Sequence, residues 1–66
     1  MDPKAAYSDI VLHMLASEWE KARESAIDLL EWREKGGFCD DHMILMADVV
    51  IRAVNEIRAA NHVYGN

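Results

Sequence analysis

Sixty-six residues with a net charge of −5, just over half of them hydrophobic and one of them cysteine, make a single small domain. The lone thiol excludes an intrachain disulfide and fits a reducing compartment, and twelve acidic against seven basic residues leave no basic cluster with which to neutralise phosphates. The longest apolar run, Met43 to Ala47, falls far short of the roughly 20 residues of a membrane span, and the N-terminus lacks the basic and apolar regions of a secretory leader. A cytoplasmic protein with neither a membrane nor a direct nucleic-acid partner is therefore expected.

Asp2-Pro3 reads as a helix N-cap followed by proline at the first helical position, where its missing N–H costs nothing. From there to Lys35 no further proline and no glycine intervenes. At 100° per residue Val11, Leu12, Leu15, Trp19, Ala22, Ala26, Leu29 and Leu30 fall within one quadrant. Ser17-Glu18-Trp19-Glu20 matches a capping box, the competing sign of a break. A break should shift the phase of the stripe, which stays constant, so one long helix is expected over residues 3–35.

Lys35-Gly36-Gly37-Phe38-Cys39-Asp40-Asp41 ends that pattern. Gly36 or Gly37 suits the left-handed position that closes a helix, and Asp40 or Asp41 suits the N-terminus of the next. The spacing predicts a turn over 36–40 and a second helix over 41–64. Arg58 and His62 stand near its negative dipole end, and Gly65 is a terminal cap. Met43, Met46, Ala47, Val50, Val54 and Ile57 form its main apolar face, with Ile44 and Ile51 on one flank and Leu45 and Val49 on the other.

Short links make antiparallel neighbours, so the expected fold is all-α: an antiparallel hairpin of two helices, the first long. A hairpin offers its second helix one neighbour only, whereas this helix is apolar nearly all round. A second copy is the economical cover. The expectation is a homodimeric four-helix bundle joined through Ile44, Leu45, Met46, Val49 and Ile51.

The residues capable of chemistry form no constellation that supports it. Cys39-Asp40-Asp41-His42 holds potential metal ligands, yet neither CxxC nor HExxH accompanies it. Asp9, His13 and Ser17 are one turn apart, but on the polar face of the helix, without oxyanion donors or a pocket. No catalytic residue, cofactor or metal is expected. Glu20, Glu24, Asp28 and Glu31 make an acidic ridge in which like charges stand four residues apart, a slightly destabilising arrangement. Such a ridge is a candidate docking surface for a protein with a basic face, or a mimic of a phosphate row. Trp32 stands at the stripe's edge beside Met14 and Tyr7, placed either to seal the turn against Phe38 or to enter an interface.

In length, acidity and hairpin layout the chain is similar to the small RNA-binding bundle dimers of plasmid copy control, a similarity of architecture alone. The basic face that such a role needs is missing. The expected function is that of a small acidic, self-associating adaptor or regulatory module that binds another protein. The alternatives are an acidic phosphate-mimicking inhibitor of a nucleic-acid-binding protein and a weak RNA-binding hairpin dimer.

Overall fold

Two helix stops of the same construction divide the chain. At the first, the Glu18 N–H donates to the His13 carbonyl at 2.8 Å and the Ser17 N–H to the Met14 carbonyl at 3.1 Å. At the second, the Gly37 N–H donates to the Trp32 carbonyl at 2.9 Å and the Gly36 N–H to the Arg33 carbonyl at 3.0 Å. Each pair is a Schellman closure, which satisfies carbonyls that a helix end would otherwise leave open. The computed structural model, which describes residues 2–64 (side chains through residue 61), accordingly has three helices: α1 Pro3–Leu15, α2 Trp19–Glu34 and α3 Asp41–Tyr64.

The expectation of a two-helix hairpin with a long first helix is thus corrected to a three-helix chain, and the four-helix bundle that two such hairpins would make falls with it. Residues 16–18 reverse direction because Ser17 adopts φ +59°, a left-handed conformation that a serine seldom supplies. The capping box does not form either: Glu18, not Ser17, is the N-cap of α2, and its side chain makes no capping hydrogen bond. Of the length, acidity and hairpin layout on which the likeness to two-helix RNA-binding dimers rested, the layout is lost.

The other boundaries follow the expected chemistry. Asp2 caps α1 through its Oδ1, which accepts from the Lys4 N–H at 3.0 Å, with Pro3 at the first helical position. Gly36 takes the left-handed position after α2, at φ +93°. The Asp40 carbonyl accepts the first helical bonds of α3, from the Met43 and Ile44 N–H groups, while Asp41 pairs with Arg33 at 2.6 Å. The cap expected at Gly65 lies outside the described residues, as does the side chain of His62.

The helix α2 packs against both others, whereas α1 and α3 meet over a few residues only. Up-down-up topology makes α1 and α3 parallel. Among the described residues, Ile10 of α1, Ala22, Ala26 and Leu29 of α2, and Ala47, Val50 and Val54 of α3 are buried. Three of the seven are alanines, which let helices approach closely but remove little surface from water. On the outer α2–α3 seam, Arg23 Nε donates to Asn55 Oδ1 at 3.1 Å and Arg58 Nε reaches Glu20 Oε1 at 3.2 Å.

The break also redistributes the apolar stripe. Ala22, Ala26 and Leu29 are buried as expected, but Val11, Leu12 and Leu15 are exposed. The face that α1 turns inward is instead Ala6, Ile10 and Met14.

Candidate functional site

The reassigned face of α1 lies beside the surplus apolar face of α3, and together they form an open groove of about 320 Å³. From α1 it is lined by Tyr7, Ile10, Val11, Met14 and Leu15. Met46, Val49, Val50 and Ala53 line it from α3. No charged side chain enters the lining. Leu15 is 78% exposed, Leu12 and Leu45 61% each, with Val49 and Val11 somewhat less. Within their helices Val11 and Leu15, and Leu45 and Val49, are one turn apart, so each pair extends the groove wall outward as a ridge. At one end the Tyr7 hydroxyl meets His42 Nε2 at 3.5 Å and ties the start of α1 to the start of α3.

This arrangement divides the five residues expected at a dimer interface. Met46 and Val49 line the groove, and Leu45 stands exposed on the ridge beside them. Ile44 and Ile51 lie on the flank towards α2 and pack partly buried against the core; Ile44 borders a shallow hollow with Leu30, Arg33 and Glu34. The α1 half of the surface, Tyr7, Ile10, Val11, Met14 and Leu15, was absent from that expectation. Its signal in the sequence is the i, i+3, i+7 series Tyr7, Ile10, Met14, visible only when the helix is read as ending before Ser17.

Glu20, Glu24, Asp28 and Glu31 are all exposed and fall along the outer face of α2. Glu20 is held by Arg58. Asp28 turns towards the α1–α2 seam, where it shares a hollow with Asp2, Asp9 and Ser25. Among the described residues no group of three or more His, Cys, Asp or Glu is gathered closely enough to hold a metal ion.

The residues with chemical potential are drawn apart. His13 Nδ1–H donates to Glu18 Oε1 at 3.1 Å, so its partner is Glu18 and not Asp9 or Ser17. Lys21 Nζ donates to the other oxygen of the same carboxylate at 3.1 Å. These contacts hold the Glu18 carboxyl below its ordinary pKa, the His13 hydrogen bond contributing most and Lys21 next. Cys39, half-buried, has its Sγ 3.7 Å from the Asp40 carbonyl and 3.9 Å from Met43 Sδ. Trp32 Nε1 donates to the Phe38 carbonyl at 3.4 Å, while the Phe38 ring is 89% exposed. Trp32 therefore seals the turn through the loop backbone and not against the Phe38 ring.

No helix in the described residues is long and apolar enough to cross a membrane. Comparison with protein-family models, with curated proteins and with solved structures finds no match to this chain.

Proposed function

We propose that this protein is a small interaction module that works by binding another polypeptide through the α1/α3 face, in a reducing cytoplasmic setting. One observation carries the reading. Val11, Leu15 and Val49 are exposed in the groove wall, Leu45 stands one turn from Val49 on its rim and Leu12 on the outer flank of α1, whereas only four large aliphatics, Ile10, Leu29, Val50 and Val54, are buried among the described residues. A surface as rich in large aliphatics as the interior it covers is costly unless something covers it, and contiguous apolar patches of this kind mark binding surfaces. Met14 and Met46 in the groove suit that role, because their flexible, polarizable side chains adapt to what they meet.

Binding without chemistry is the reading that the polar residues support. His13, His42 and Cys39 are each engaged separately, and none of the three lines the groove. The free Cys39 thiol is consistent with a reducing compartment. The acidic ridge of α2 supports a second reading, docking of a protein with a basic surface, since Glu24, Asp28 and Glu31 are exposed on the side away from the groove.

Photo-crosslinking in cells decides between the two faces. A benzophenone side chain at Leu15, exposed in the groove wall, should give specific polypeptide adducts, and the same group at Glu24 should give few. Adducts confined to Glu24 would transfer the function to the ridge, and none at Leu15 would remove it from the groove.

A further inference from the structure

We infer that the occupant of the α1/α3 face is a second copy of this chain, paired antiparallel about a twofold axis; this rests on the reading of that face as the binding surface. The first argument is size. A chain of about 60 residues buries only roughly 60% of the surface its unfolded form exposes, and the usual remedies are disulfides, metals or oligomerisation. Here three of the seven buried residues are alanine and the only cysteine is unpaired. A partner present whenever the chain folds is its own copy.

Shape gives the second argument. A twofold that lies in the face and crosses the helices sets the Leu45–Val49 ridge of one copy against the same ridge of the other and groove against groove, so the same apolar patch is covered on both copies. A surface that complements itself is what an isologous pair requires.

Charge fixes the direction. Lys4 stands two turns before Val11 on α1, and Glu56 stands two turns after Val49 on α3. Val11 and Val49 line the same groove and the helices are parallel, so the two charges mark opposite ends of the face. Both residues are exposed, and neither is ion-paired among the described residues, where the pairs run Lys21–Glu18, Arg33–Asp41, Arg52–Asp48 and Arg58–Glu20. Turning one copy end over end brings the Lys4 level of one to the Glu56 level of the other. A parallel pairing sets like charge beside like. The net charge of −5 does not oppose association, because the acidic ridges face outward. Each molecule is 16 Å thick even along its shortest axis, and a Debye length at physiological salt is about 8 Å.

Sedimentation equilibrium of the full chain at micromolar concentration, combined with a charge exchange, tests this. The wild type should sediment at twice the 7.5 kDa chain mass. Val49→Asp should give a largely unfolded or weakly helical monomer, since folding and association are coupled. Lys4→Glu and Glu56→Lys, at exposed sites that leave each chain's helices intact, should each weaken the dimer by about two- to fivefold at low salt, the scale of an exposed pair. The double exchange should restore it to within about twofold. A well-folded wild-type monomer would overturn the inference, and so would single losses that add in the double variant. A folded monomer whose Leu15 photo-adducts contain a different protein would sink the second copy and leave the binding surface standing; a folded monomer with no adducts would sink both.

Discussion

Ser17 and Gly36 occupy the same backbone position, one residue past the caps of α1 and α2, and both stand at positive φ, +59° and +93°. The two stops share their hydrogen bonds and differ in the residue that bears the left-handed backbone. A non-glycine residue there costs on the order of 1–2 kcal/mol, so the first turn is held by its surroundings while the second suits its residue. Among those surroundings are the His13–Glu18–Lys21 cluster across the turn and the packing of Ile10 into the core.

Ser17→Gly should therefore stabilise the protein. Relief of the left-handed strain exceeds the added freedom of glycine in the unfolded chain, and a net gain of about 0.5–1 kcal/mol is expected. The urea midpoint at fixed protein concentration measures it. A midpoint lower than that of the wild type would contradict this account of the turn.

In the second turn the two glycines serve different ends. Gly36 needs its positive φ, and nothing crowds it, so Gly36→Val should cost about 1 kcal/mol or more through backbone strain alone. A Cβ at Gly37 would instead fall on the indole of Trp32. Gly37→Ala should cost about 1–3 kcal/mol by overpacking, and most of that cost should vanish in a Trp32→Leu background. A double-mutant cycle with no coupling would show that the indole moves aside freely.

Acid should loosen the first turn. The folded pKa of Glu18 lies below its ordinary value of 4.5, so its bonds to His13 and Lys21 add stability that is present above the unfolded value. That stability is lost as pH falls through the folded one. At about pH 6 the wild type should be more stable than Glu18→Gln, and the difference should shrink towards about pH 3. Urea titrations of both proteins across that range check it; a constant difference would mean that the carboxylate does not hold the turn.

Duplex or hairpin RNA should not be bound with salt-sensitive affinity. Lys21, Arg33, Arg52 and Arg58 are each paired with a carboxylate and Arg23 with Asn55, so little positive charge remains to release counterions from phosphates. A gel-shift titration giving micromolar or tighter binding that weakens with salt would overturn this.

The two turns also explain how far the fold could be read from residues. Gly36-Gly37 followed by Asp40-Asp41 announces its stop through residue types that favour the geometry, and both α3 and the turn lie where that pattern puts them. Ser17 carried a sign of the break only as the start of a capping box that does not form, and its residue type does not favour the left-handed backbone it adopts. The continuous stripe misled for a related reason. Trp19, Ala22, Ala26 and Leu29 belong to the inner face of α2, and Val11, Leu12 and Leu15 to the outside of α1; their shared phase is a coincidence across a reversal. The α3 half of the groove was legible as apolar residues in excess of one neighbour's needs. The α1 half depended on the reversal and was not.

The order of packing, α1 on α2 and α2 on α3 with little between α1 and α3, bears on kinetics. Chains whose contacts join neighbouring segments fold in about microseconds to milliseconds, and here each helix meets its main partner across a short link. The α1–α3 seam, closed at one end by Tyr7 and His42, is the one that joins helices not consecutive in the chain, so it should form after the two helix pairs. With Ile10 as its one buried residue, against three each on α2 and α3 among the described residues, α1 is also the element that opens with the least loss of buried side chains, so its amides should exchange with solvent before those of α2. If a second copy covers Val11 and Leu15, that opening requires separation of the pair, and the exchange rate along α1 should fall as the protein concentration rises.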